Sequence, residues 1–231
     1  MTVLLVILTF ALFIALDYVI ELRKERKKET VHREEIRVSP EPVFAPAMAA
    51  EPVWVAGYQL PEELHYHRGH TWARALSEDT VLIGLDDFAS KLIGPANGMT
   101  LPTEGTVLSQ GDKGFHVVVS GKSADFLSPV DGQVVEVNPE LGRQPSLATD
   151  DPYGRGWVMK VRSSNLAKNL RNLLSGGLAR SWIEDARRGL DLQLMALSGS
   201  VLQDGGEPVA DFARHLSEEE WKRLMGEFLL T

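Results

Sequence analysis

The 231-residue chain contains no cysteine. Disulfides, thiolate zinc sites, iron–sulfur clusters and cysteine nucleophiles are thereby excluded. Positive charge is also scarce: 24 Lys and Arg stand against 32 Asp and Glu, a formal net charge of -8. Phosphate recognition needs concentrated cations, so this balance argues against nucleic acid as a partner. No nucleophile motif, phosphate loop or dinucleotide fingerprint occurs, and no convincing internal repeat is found. What the chain does hold is an ordinary apolar fraction, 44%, and a length that suits one domain or two small ones.

One long apolar run lies at the N-terminus. Val3 to Ile20 reads VLLVILTFALFIALDYVI, interrupted only by Thr9, Asp17 and Tyr18. About 20 helical residues cross the hydrocarbon core, so the run predicts a transmembrane helix within residues 1–22. A cleaved signal peptide would carry positive charge before its apolar stretch. Here Arg23, Lys24, Arg26, Lys27 and Lys28 follow it instead. The positive-inside rule then places the C-terminal side in the cytoplasm. The expectation is a single-pass protein of the inner (cytoplasmic) membrane, anchored through residues 3–20 and facing the cytoplasm. Residues 23–56 read as a charged juxtamembrane helix followed by a tether containing Pro40, Pro42, Pro46 and Pro52.

From Trp54 or Tyr58 to about Arg162 the pattern is one of short strands. Val81–Leu85, Phe115–Ser120, Gln133–Val137 and Trp157–Val161 are apolar or alternating runs punctuated by Gly and Pro. That spacing argues for a small barrel or sandwich. Asp87–Ile93 reads as a short helix with Asp87 as its N-cap, stopping at Gly94-Pro95. Leu166, Leu170, Leu173 and Leu174 share one helix face, expected to end at Gly176-Gly177. Ser181 with Glu184, and Ser217 with Glu220, fit capping boxes. Trp221, Leu224, Met225, Phe228 and Leu229 follow the second box at helical spacing and read as a core stripe.

Lys122 is the candidate functional residue. It follows Val117-Val118-Val119-Ser120-Gly121, and a second strand leads on to Ser128-Pro129-Val130-Asp131-Gly132. A lysine at the tip of such a hairpin is held clear of the domain, as covalent loading with a swinging cofactor requires. An ordinary solvated turn lysine fits the same residues. His65, His67 and His70 form His-x-His-x-x-His, but no acidic or Cys ligand lies close by, so no metal site is expected.

From His70 to about Glu184 the chain resembles the H protein of the glycine cleavage system. His70-Thr71-Trp72 is similar to the family's His-Glu-Trp, and Val81 to Ala89 to its Val-Gly-Ile-Thr-Asp-Tyr-Ala. Ser128 to Asn138 resembles Ser-Pro-Val-Ser-Gly-x-Val-x-Glu-Val-Asn. Asp151 to Trp157 is nearly Asp-Pro-Tyr-Gly-x-Gly-Trp. The resemblance implies a mainly β fold: a flattened lipoyl-type β-barrel or sandwich with flanking helices. Such a domain is expected over residues 57–189, with a helical extension over 190–231. The resemblance also implies a non-enzymatic protein that carries lipoate on a hairpin lysine and moves an aminomethyl group between partner enzymes.

The hairpin departs from that pattern. Counting back from Ser128-Pro129 without gaps puts Gly121, not Lys122, at the carrier position, and Val118 where the family has an acidic residue. A deletion in the hairpin would restore Lys122 to the tip. Two readings follow. In one, the domain is a non-catalytic scaffold or accessory subunit that acts through protein–protein contacts in a membrane complex and holds no cofactor. In the alternative, lipoate on Lys122 serves lipoate-using partner enzymes, as in glycine cleavage.

Overall fold

The computed structural model describes residues 53–198, 213 and 216–231. The expected membrane helix and the prolines of the tether lie outside these residues; residues 53–56, read as the end of the tether, are described, and Trp54–Val55 among them form a strand. Among the described residues no helix is long and apolar enough to cross a membrane. Glu51–Thr231 forms one compact unit.

The architecture is mainly β with flanking helices. A small hairpin, β1 (Trp54–Val55) with β2 (Tyr58–Gln59), opens it. A six-stranded antiparallel sheet follows, in the order β3 (His65–Tyr66), β4 (Thr71–Ala75), β5 (Thr80–Leu85), β11 (Met159–Arg162), β10 (Gly132–Val137) and β7 (Val107–Leu108). A three-stranded sheet has the order β6 (Gly98–Thr100), β8 (Lys113–Val119), β9 (Lys122–Leu127). The central strand β5, whose sequence is nearly all apolar, is buried from Val81 to Leu85 between β4 and β11. In β8 the side chains alternate, with Phe115, Val117 and Val119 inward and His116 and Val118 half-buried. Ala124 and Phe126 of β9 face the same core. This period of two is what pins a strand's register when one face is buried.

Among the described residues five helices flank the sheets: α1 (Asp87–Ile93), α2 (Leu147–Asp150), α3 (Leu166–Arg171), α4 (Gly176–Ser198) and α5 (Glu218–Phe228). Three sequence expectations need correction. The N-cap of α1 is Asp86, whose carboxylate accepts from Ala89 N at 2.8 Å, and Asp87 is the first helical residue. The extended backbone of Asp86 suits it to the cap. Gly176-Gly177 begins a helix instead of ending one: α3 stops at Arg171, and Leu174 bridges to Tyr66. Ser181 therefore lies inside α4 and caps nothing. That helix runs through residues 189–190 without a break. By contrast, Ser217 and Glu220 do form a capping box at α5. The apolar stripe of α5 is core, with Trp221, Leu224, Met225 and Phe228 all buried.

Candidate functional site at the β8–β9 hairpin

Two residues, Ser120 and Gly121, make the hairpin turn, with φ of 51° and 81°. Positive φ at both central residues matches the right-handed twist of the flanking strands. Ser120 N donates to Asn97 Oδ1 at 2.6 Å, which braces the turn against the segment entering β6. Gly121 is exposed, and among the described residues a Cβ built on it would meet nothing within 4 Å.

Lys122 is not at the tip. It is the first residue of β9, paired with Val119. Strand side chains alternate, so Lys122 starts on the face it shares with buried Ala124 and Phe126. That direction takes its half-buried side chain under the N-terminal end of α5. There Nζ donates to the backbone oxygen of Leu216 and lies 5.6 Å from the centroid of the Trp221 ring. Trp221 is 1% exposed, and its Nε1 donates to Ser123 O at 2.7 Å. The helix and the residue before its cap thus touch β9 at Lys122 and Ser123. Glu220 stands close enough for its carboxylate to feel the Lys122 cation. Its pKa is lowered mainly by hydrogen bonds from the Ser217 hydroxyl and backbone. The residues of the bend, as folded, do not fit a swinging arm: Gly121 has no amine, and the amine of Lys122 is engaged.

On the opposite face of the hairpin, Asp125 accepts from Lys113 at 2.5 Å and from His116 at 2.7 Å. The Lys113 bond is the main cause of a carboxyl pKa below the usual range.

The other sequence motifs converge on a buried cluster away from the turn. His70 Nδ1 and Asp86 Oδ2 are 2.7 Å apart, and the imidazole stacks on Phe88 and Trp182 with centroids 4.3 and 4.6 Å away. Trp72 Nε1 donates to Pro152 O at 3.1 Å. The indole lies over Gly84, where an added Cβ would collide with it. The Tyr153 hydroxyl accepts from Asp87 N at 2.9 Å and donates to Gln59 O at 2.8 Å. These residues tie the sheet to its loops. His65 lies in β3, whereas His67 follows that strand in a turn and accepts from Gly69 N at 3.1 Å. Among the described residues no group of His, Asp and Glu could hold a metal ion.

Sequence reasoning missed Leu216 and Trp221 as partners of the hairpin. The capping box and apolar stripe located α5, but no local signal says that its buried face meets β9.

Comparison with known proteins returns one family: the model described as "Glycine cleavage H-protein" matches residues 64–186. A probable glycine cleavage system H protein of Pyrococcus horikoshii is 37% identical over 52% of this chain and 89% of its own length. The glycine cleavage system H protein of Carboxydothermus hydrogenoformans is 44% identical over 50% of this chain and 88% of its own. A crystal structure of a glycine cleavage system H protein from Mycobacterium marinum is 28% identical, with a TM-score of 0.43, over 46% of this chain and 87% of that one.

Proposed function

The chain belongs to the glycine cleavage H-protein family, and from that premise we propose that it is a non-catalytic, membrane-anchored accessory module that acts through protein contacts without lipoate on Lys122. The observation that carries this reading is the engagement of the Lys122 amine by Leu216 O and the Trp221 ring, beside a turn built from Ser120 and Gly121. A carrier amine has to leave the domain surface and enter a partner's site. This one points along the core face of β9. The anchoring half of the proposal rests on the apolar run at residues 3–20 and the cations that follow it. These support an inner-membrane protein whose folded unit faces the cytoplasm.

The second reading is a lipoyl carrier loaded at Lys122 that serves lipoate-using enzymes. Family membership supports that role for the domain. If loaded, the dithiolane would supply the group-transfer chemistry, and this chain would supply only presentation and partner contacts.

Intact mass spectrometry of the protein from its native host separates the two. The unmodified mass is expected in cells that lipoylate other proteins. A lipoyl increment lost in Lys122→Arg would establish the carrier instead. Carbonate extraction tests the anchor: the full chain should stay with the membrane pellet, and release into the supernatant would refute anchoring.

A further inference from the structure

Helix α5 and Leu216, just before its cap, lie beyond residue 186, where the family match ends, yet they supply the contacts around Lys122. The helix's apolar face is buried, and three specific contacts add to that. Trp221 Nε1 bonds the β9 backbone at Ser123 O. Phe228 packs on Phe88 of α1 with ring centroids 5.3 Å apart. Gln193 of α4 donates to Glu227 at 2.6 Å. β9 is the edge of its sheet, and an uncovered edge strand is open to any chain or enzyme that approaches it.

The geometry points to α5 as a built-in cap that withholds the Lys122 amine from acylation, so that modification of this lysine requires the helix to lift from β9. Acylation needs the nitrogen lone pair to reach an acyl carbon along an open approach. In the docked state the Leu216 carbonyl and the indole face occupy the space around Nζ. The cap packs four apolar side chains, Trp221, Leu224, Met225 and Phe228, against the rest of the unit, and one indole bond, one ring contact and one exposed side-chain bond add to that. A single helix laid on the outside of a sheet can open as a sub-global unit, at lower free energy than the whole domain. The cap rests on the same contact as the proposed function but does not depend on whether lipoate is ever attached.

The test is limited acylation of the full chain in detergent with N-hydroxysuccinimidyl acetate, read by peptide mass spectrometry. The neutral amine attacks the ester carbonyl, the C–N bond of an amide forms, the C–O bond to the leaving group breaks, and the amine proton departs on the released N-hydroxysuccinimide. Exposed Lys168 on α3 serves as the reference. Lys160, 26% exposed and paired with Glu136 across β10 and β11, reports on the six-stranded sheet. Lys122 is expected to react at least about tenfold more slowly than Lys168 in the native protein, and to approach it in Trp221→Ala while Lys160 stays slow. If Lys160 also accelerates, the six-stranded sheet has loosened, and the milder Leu224→Ala replaces it. Equal rates at Lys122 and Lys168 in the native protein would overturn the cap. So would a Lys122 rate unmoved by either substitution, or variants that open Lys122 only together with Lys160. Finding lipoate on Lys122 in the native host would remove the proposed function but leave these rates, and the cap, standing.

Discussion

Asp131 and Asn169 hold each other by a reciprocal pair of hydrogen bonds: Asn169 Nδ2 donates to Asp131 Oδ2 at 2.8 Å, and Asp131 N donates to Asn169 Oδ1 at 3.1 Å. Asp131 sits in the turn before β10, and Asn169, 2% exposed, sits in α3. The same carboxylate accepts from Gln110 N at 2.6 Å, and Ser163 Oγ donates to Asn169 Oδ1 at 3.2 Å. One amide thereby fixes the Ser-Pro-Val-Asp-Gly turn to the helix.

Asn169→Ala should destabilise the protein by about 2 kcal/mol, because it leaves Asp131 N and Ser163 without that partner. It should also alter the response to acid. Asn169 is the main cause of a lowered Asp131 pKa, with Gln110 next. A carboxyl lowered on folding contributes stability above its ordinary pKa, and that contribution is lost as pH falls through the folded value. Removing Asn169 raises the folded value towards the ordinary one, so less of the stability at neutral pH is acid-sensitive at this site. Thermal unfolding of the full chain in detergent across the acid range checks both effects. An unchanged midpoint at neutral pH would count against the pair.

Tyr153→Phe tests whether the Asp-Pro-Tyr-Gly loop is anchored by the phenol or merely by the ring. Burial raises the Tyr153 pKa well above its ordinary value, so the hydroxyl stays protonated and can serve both its partners. The substitution leaves Asp87 N and Gln59 O unpaired, at a cost of about 2 kcal/mol, while the ring contact with Trp72 survives. Calorimetry of the variant should show a lower unfolding midpoint. A loss below about 0.5 kcal/mol would mean that the ring alone anchors the loop.

Stability should also fall between neutral and mildly acidic pH. Burial, and then the neighbouring His70, lowers the pKa of His67; burial lowers that of His65. Above the ordinary value of 6.5 both groups are neutral in the folded and the unfolded chain, and neither affects the balance. Below it the unfolded chain takes up protons that the folded chain still refuses, so stability drops as pH falls until the folded values are reached. The slope is at most about 1.4 kcal/mol per pH unit for each group. His67→Gln should flatten the fall in thermal midpoint from about pH 7.5 to about pH 5.5. A variant whose fall matches the parent's would exclude His67 as the cause.

What could be read from the chain alone was local. The alternation of Phe115, Val117 and Val119 and the Ser217–Glu220 box each lie within a few residues, and both are in the structure. The family motifs carried the fold because they are long and specific. The errors arose where neighbours compete. Asp86 and Asp87 both suit an N-cap, and only the extended backbone of Asp86 decides between them. Gly176-Gly177 punctuates a helix equally well at its start. At the hairpin, Ser-Gly took both turn positions and moved Lys122 one residue into the strand. Its inward direction follows from parity once β9 is known. Trp221 and Ser123 are 98 residues apart, and no local pattern links them.

Two glycines flanking this region should respond in opposite ways to the same added methyl group. Gly132 opens β10 at φ 149°, and a Cβ there would collide with the backbone oxygen of Arg162 and with Val161 on the paired strand. Backbone cannot swing aside as a side chain can, so Gly132→Ala should cost about 3 kcal/mol or more, or prevent folding. Gly121 has φ 81° but open space around it. There Gly121→Ala pays only the left-handed backbone penalty, about 1–2 kcal/mol, partly offset by the reduced freedom of the unfolded chain. Gly121→Lys should fold as well as Gly121→Ala, and its amine should acylate at the rate of exposed Lys168, since among the described residues nothing covers the bend. A protected lysine at 121 would mean that α5 or another part of the chain reaches over the turn. If the two alanine variants lost equal stability, steric collision at Gly132 could not be what separates them.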